Sequence, residues 1–305
     1  MMKLMKKLLL TGWMMLAGVA LWAQGSDALI FTRIERNPRA AGMAGAGAAS
    51  FYNSAYAGFG KAATLAFMGG TLDAGVGFQL WAPGDELEKT TNMQLGAAGH
   101  FGQVGVSLGA AFSSGVPAGD FAPTQRIVGL GFAYKMGRYL GVGVNLRYAG
   151  ETLAPGASVN GFSSDLSVAA QIPGGFSAIL GISTLGTRVK GSQADMDYPQ
   201  PAYLFGGVAW HRLLADVHEV ELALDGEYYV NGVLAAAVGA EYSYNHTAFV
   251  RAGYRLAGAA CVYPSHLALG LGVQFAGFRI EAAWMGAASY APKSNTVTFG
   301  IGYRF

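Results

Sequence analysis

The last ten residues, Thr296-Val297-Thr298-Phe299-Gly300-Ile301-Gly302-Tyr303-Arg304-Phe305, alternate apolar with small or polar side chains and finish on an aromatic. Successive strand residues point to opposite faces, so Val297, Phe299, Ile301, Tyr303 and Phe305 share one face and Thr298, Gly300, Gly302 and Arg304 the other. A closing strand of an outer-membrane β-barrel has this form, with one face for lipid and one for the lumen. A single decamer also fits a half-buried strand of a soluble β-sandwich. Recurrence of the pattern decides between the two.

The pattern recurs. From residue 71 the chain divides into segments of about ten residues bounded by Gly, Pro, Asn or Asp clusters. Strands are predicted near 71–81, 91–101, 103–113, 126–136, 138–149, 161–171, 175–185, 201–211, 217–230, 233–244, 246–256, 266–276, 277–289 and 295–305. That makes fourteen, an even number as bacterial single-chain barrels require, and twelve if two weaker segments fail. The chain carries 46 Gly and only 12% charged residues. Gly and Ala interrupt nearly every apolar stretch, which suits closely approaching strands with a small-residue lumen face. After the first two dozen residues no apolar run nears the 18 or so residues of a spanning helix. The predicted fold is an all-β, 14-stranded antiparallel outer-membrane barrel over 71–305, preceded by a plug or hatch segment at 24–70.

Charge placement supports a lumen. Leu140, Val142, Val144, Leu146 and Tyr148 oppose Gly141, Gly143, Asn145 and Arg147; Val220, Leu222, Leu224, Tyr228 and Val230 oppose Glu219, Glu221, Asp225 and Glu227. A carboxylate facing hydrocarbon would be costly, so these acids face a wet or internally paired interior. Arg251, Arg255, Arg279, Glu241 and Glu281 join them by alternation. The ionic set either holds the interior together or lines a substrate or ion path. Tyr134 to Tyr139 and Tyr244-Asn245-His246 read as tight turns, whereas 114–125, 150–160, 186–200 and 257–265 read as longer, outward-facing loops containing Pro117, Pro123, Pro155, Pro199 and Pro264. Trp81, Tyr148, Trp210, Tyr228, Tyr229, Tyr242, Tyr244, Tyr254, Trp284 and Tyr290 lie near segment ends, as interfacial girdles do.

Lys3, Lys6 and Lys7 followed by an apolar run to Trp22 read as a secretory signal peptide over 1–23, cleaved after Ala23. Its loss takes the Lys+Arg count from 20 to 17 against 18 acids, which leaves no nucleic-acid footprint. Cys261 is the only cysteine, so no disulfide forms within the chain. Residues 25–70 depart from the barrel pattern. Asn37 to Gly47 is dense in glycine, with Gly42, Gly45 and Gly47 suited to close packing or positive φ, and Phe51 to Met68 suits a short helical insert. No Gly-Lys-Ser/Thr ending makes this a phosphate loop.

Chemistry-bearing patterns are sparse. His100, His211, His218, His246 and His266 have no paired ligand spacing, and Asp195 and Asp197 read as solvated loop acids that hold calcium weakly at best. Neighbouring Ser265 and His266 point to opposite strand faces and cannot form a dyad. No catalytic, cofactor-binding or metal-binding residue is assigned, no cofactor is implied, and a non-enzyme is expected.

Phe31-Thr32-Arg33-Ile34 followed by Asn37-Pro38-Arg39-Ala40-Ala41-Gly42-Met43-Ala44-Gly45-Ala46 resembles the N-terminal signature of the PorV/PorQ family, a branch of the fatty-acid-transporter-like (FadL-like) fourteen-stranded barrels. Val250-Arg251-Ala252-Gly253-Tyr254-Arg255 is similar to that family's late strand, and the Phe305 ending agrees. The Phe31 to Met43 stretch looks closer to PorQ, of the type IX secretion system. The resemblance implies a non-enzymatic outer-membrane component of the cell-surface attachment complex, partnered by a sortase-like subunit and a peripheral surface subunit that attach cargo to lipopolysaccharide. A PorV-like protein would instead carry cargo to that complex. The alternative is a transporter for hydrophobic small molecules such as fatty acids through a hatch-gated barrel. Where the wider family commonly has Asn-Pro-Ala, this chain reads Asn53-Ser54-Ala55, and the missing proline argues against a close match to hydrophobic-substrate transporters.

Overall fold

The computed structural model describes residues 28–305 except 53, 82–89, 115–120, 192–196, 259–260, 262–264 and 288–294. The export signal expected at 1–23, and Asn53, Pro117, Asp195, Pro264 and Tyr290, lie outside the described residues.

Among the described residues, fourteen strands close into one antiparallel barrel. The first seven are β1 (Leu72–Trp81), β2 (Thr90–Phe101), β3 (Val104–Ser114), β4 (Thr124–Met136), β5 (Leu140–Ala154), β6 (Ala157–Ile172) and β7 (Phe176–Gly186). After β8 (Val189–Gly191) and β9 (Asp197–Tyr198), a short hairpin on the connecting loop, come β10 (Tyr203–Ala215), β11 (His218–Tyr229), β12 (Leu234–Tyr244), β13 (Ala248–Ala257), β14 (His266–Phe275), β15 (Phe278–Ala287) and β16 (Thr296–Arg304). Each barrel strand pairs with its chain neighbours, β7 pairs with β10, and β16 closes on β1 with Phe299 opposite Phe78 and Ile301 opposite Val76. All fourteen segments read from the sequence are strands, and the alternating tail is the closing one.

One loop expectation fails. Residues 150–160 belong to β5 and β6, which Pro155-Gly156 alone connect. Proline sets the first corner and Gly156 takes a φ of 76° at the second, the backbone of a type II turn, so the strands pair up to the bend. Elsewhere the ends divide as predicted. Short turns join β2 to β3, β4 to β5, β12 to β13 and β14 to β15 at one end, and longer connections lie at the other. In barrels of this class the longer loops face outside.

The outward side chains form an exposed apolar band around the circumference: Leu108 on β3, Phe132 on β4, Leu146 on β5, Leu180 on β7, Leu224 on β11, Leu269 on β14 and Ile301 on β16 among them. A surface this apolar needs lipid as its solvent, which places the barrel in the outer membrane. Among the described residues no helix is long and apolar enough to span a bilayer; the strands do so instead.

The inward glycines have a different role from the one their abundance implied. A Cβ on Gly270 would stand 2.9 Å from the Cα of Gly42, and one on Gly105 would stand 2.6 Å from the Cβ of Leu65. They mark where the backbone of residues 28–70 rests against the wall. That segment runs as a 3-10 turn at Ile30–Arg33, the single-turn helix α1 (Pro38–Gly42), and 3-10 helices at Ser54–Phe59 and Ala62–Phe67, which answers to the helical insert expected within 51–68. Asn37 caps α1, its side chain accepting from the Arg39 amide at 3.0 Å, and Pro38 occupies the first turn where its missing N–H costs nothing. Gly45 and Gly47 have φ of 85° and 102°.

Tyr229 is a second correction. Assigned by sequence to a membrane girdle, it is buried on the inner face at the loop end of β11, where its hydroxyl donates to Glu227 and the Arg33 guanidinium lies 4.1 Å over its ring. Two adjacent tyrosines at a strand end must face opposite ways; Tyr228 is the outward one.

Candidate functional site

Among the described residues the barrel interior gathers the buried charges, and they are unevenly spread around its wall. Strands β11 to β16 and β1 carry ions. Arg39, projecting from α1, donates to Glu221 on β11 at 2.9 Å and to both oxygens of Glu241 on β12 at 2.9 and 3.0 Å. Arg251 on β13 pairs with Glu241 and reaches Glu281 on β15 at 3.1 Å. Arg279 continues the chain to Glu281 and Asp73, each at 3.2 Å, and Arg304 meets Asp73 at 3.3 Å. Arg255 pairs with Glu227. Alternating signs let each buried charge keep at least one opposite neighbour, the condition for burying ions at all.

Sequence alternation places Arg251, Arg255, Arg279, Glu241 and Glu281 on one face; Arg251, Arg279, Glu241 and Glu281 meet in one network, and Arg255 pairs apart from it with Glu227. Alternation missed Arg39, which reaches the network from outside the strand pattern, and Asp73, whose inward position on β1 was readable but not singled out. The acids of β11 tie the N-terminal segment down as well: Asp225 accepts from the Ala48 amide at 2.8 Å and Glu221 from Ser50 at 3.2 Å. Toward the short turns, Glu219 accepts from Ser243 at 2.9 Å and pairs with His211 and His246.

Strands β3 to β7 and β10 line the other side, where apolar patches alternate with buried polar groups such as Ser107, Asn145, Ser167 and Ser183. At the loop end Leu29, Phe31 and Ile34 pack on Ala111, Ile127, Ala149, Val159 and Val189. Toward the short turns Met43, Ala46 and Ala48 belong to a cluster with Ala169, Ile179, Phe205 and Ala209, flanked by Phe51 and Phe67, whose rings stack at 4.6 Å. Between the two patches the β6–β7 ladder shifts register after Ser164, and Thr184 takes a φ of 59°. Asp165 fills the irregularity: it accepts from the Thr184 amide at 2.7 Å and Ser183 Oγ at 2.8 Å, and pairs with Arg147.

A cavity of about 120 Å³ lies within the N-terminal segment, bordered by Arg33, Arg36, Tyr56, Lys61 and Glu227 among others. Its polar lining suits water or a small polar group and repels hydrocarbon. Burial alone would lower the Lys61 pKa, but Glu35, 3.9 Å away, and the more distant Asp225 outweigh it and hold the ammonium above the usual lysine value. Ser265 and His266 do not act together, since Ser265 Oγ accepts from the Ala257 amide while His266 is buried on the inner face. Among the described residues no three His, Cys, Asp or Glu converge as metal ligands.

No protein-family profile and no curated protein matches the sequence. Solved structures do match the architecture. The CymD monoaromatic hydrocarbon channel superimposes with a TM-score of 0.62 at 15% identity over 92% of this chain and 99% of its own. The toluene transporter TbuX of Ralstonia pickettii gives 0.62 at 14% over 88% and 98%, and a Pseudomonas aeruginosa FadL homologue 0.55 at 12% over 89% and 99%. The chain has the fold of the FadL-type outer-membrane channels. At these identities the likeness is one of fold, and nothing in it supports the finer PorV/PorQ assignment. Ser54 in place of the family proline does not set the fold apart from hydrocarbon channels.

Proposed function

We propose that the protein passes small hydrophobic molecules across the outer membrane, with residues 24–70 acting as a hatch inside the barrel. The observation that carries this reading is the set of apolar patches on the inner wall that the N-terminal segment covers. Leu29, Phe31 and Ile34 cover one patch at the loop end, Met43 to Ala49 cover a second, and Ala57 to Met68 cover a third against Ala98 and Ala133. Hydrocarbon could take over the same contacts if the segment withdrew, at comparable transfer free energy per area. The ionic network would then serve as the fixed anchor, holding α1 through Arg39 while the rest of the segment shifts. The fold shared with the toluene and monoaromatic channels supports the choice of cargo class.

Whole-cell uptake tests the proposal, because hydrocarbons cross a bare phospholipid bilayer unaided. In a host deleted for its own channels of this type, expression is expected to raise uptake of radiolabelled toluene or a long-chain fatty acid above the vector control. Uptake equal to the control, with the protein folded in the outer membrane, would refute transport of these probes. The attachment-complex reading rests on the sequence resemblance alone. Recovery of a sortase-like subunit with the detergent-purified protein would favour it.

A further inference from the structure

Gly206 of β10 stands opposite Gly226 of β11, which stands opposite Ala236 of β12, and all three face outward. The same register row ends on Leu180 of β7 at one side and Leu256 of β13 at the other. Large side chains border it along the strands, with Leu204, Tyr228 and Leu234 on the loop side and Val208, Leu224 and Val238 on the other. Three small residues in one row between two rows of large ones make a trough about 14 Å long at the usual ~4.8 Å strand spacing. The row is open at its middle, where a Cβ on Gly226 would have no heavy atom within 4 Å, and Leu180 closes in at the β10 end, 3.5 Å from where a Cβ on Gly206 would stand. The resulting cavity has a volume of about 620 Å³, and Ser265 of the β13–β14 connection stands at its loop-side edge.

We propose that this trough binds one acyl chain of an outer-leaflet lipid. Its outward lining is Leu180, Leu204, Leu234, Leu256 and Tyr228, and it is continuous with the lipid-facing band, so hydrocarbon is the solvent that reaches it. Its position near the loop end of β10 to β13 sets it at the depth of the outer leaflet. Tyr228, an exposed lining residue on the loop side of the row, suits the boundary between acyl chain and headgroup. Flat stretches of the wall offer a chain no recess, whereas the trough adds flanking leucine side chains to the contact, which favours a retained lipid over an exchanging one.

Native mass spectrometry of the intact barrel in detergent, titrated with lipid A, the acylated lipid of the outer leaflet, tests this. The unaltered protein is expected to retain one lipid, and Gly226→Leu, which fills the trough, to retain it roughly tenfold less, as the loss of a methylene or two of contact implies. Ala236→Leu should act the same way if the glycine variant folds poorly, and Ala252→Leu, outward on β13 but outside the trough, should leave retention unchanged. Heat-modifiable gel mobility confirms folding of each. Equal retention by the filled and unaltered proteins, or none by either, would overturn the proposal. So would a dimer that dissociates when the trough is filled, which would assign the surface to a second copy of the chain.

Discussion

Arg251→Leu is expected to destabilise the barrel by about 3 kcal/mol, the lower end of what removing one partner of a buried ion pair costs. Arg251 is 3% exposed and joins Glu241 to Glu281 across strands β12, β13 and β15. Leucine fills part of the volume but answers neither carboxylate. Both acids retain a second cation, Glu241 through Arg39 and Glu281 through Arg279, which is why the higher end of the range is not expected. Urea unfolding in detergent micelles should show the midpoint fall, with the change concentrated in the unfolding rate if the network forms after the barrel closes. An unchanged midpoint would mean that the network is dispensable to the barrel.

Gly253→Val should have a larger effect on the interior than on the wall. A Cβ at Gly253 would overlap the carbonyl of Met43, a backbone group that cannot turn aside as a side-chain tip could. Overpacking a close-packed site costs ~1–3 kcal/mol, and here the wall strand is locked by ladders on both sides, Gly253 opposite Gly239 on β12 and Ala268 on β14. The N-terminal segment therefore yields. In the unaltered protein Arg39 is 4% exposed and trypsin should leave it intact; in the folded valine variant cleavage after Arg39 is expected. Planar-bilayer conductance should rise with it. Protection equal to that of the unaltered protein would show that the wall gives way instead.

The barrel was legible because its signal is repeated. Each segment carries a period of two, and a misread boundary at one strand, such as 138–149 for a strand that runs to Ala154, does not alter the count. Pro155-Gly156 misled because the same dipeptide serves a long loop and a two-residue turn, and only the pairing beyond it tells them apart. The ionic face was legible for the same periodic reason. Its keystone was not: Arg39 lies on a five-residue helix in an aperiodic stretch, and nothing local says that it contacts Glu221 and Glu241 some two hundred residues away. Glycine was legible only in general terms: Gly and Ala suit a small-residue lumen face, but which positions face residues 28–70, such as Gly105, Gly253 and Gly270, shows only in the structure. The resemblance at Phe31 to Ala46 reached the right barrel architecture and a narrower branch than the shared fold supports.

If the protein transports as proposed, cargo passes only when the N-terminal segment leaves the apolar patches of the inner wall. A Cβ on Gly207 would stand 3.2 Å from the Cβ of Ala48, close to the ~3.5–4.5 Å of a disulfide once the Asp225 carboxylate beside it shifts. With Cys261→Ser removing the native thiol, the pair Ala48→Cys and Gly207→Cys tethers the segment to β10 under oxidising conditions. Uptake of radiolabelled hydrocarbon by cells carrying the tethered protein is expected to fall to the vector control and to recover on reduction. Equal uptake in the oxidised and reduced states, with the disulfide confirmed, would contradict the account.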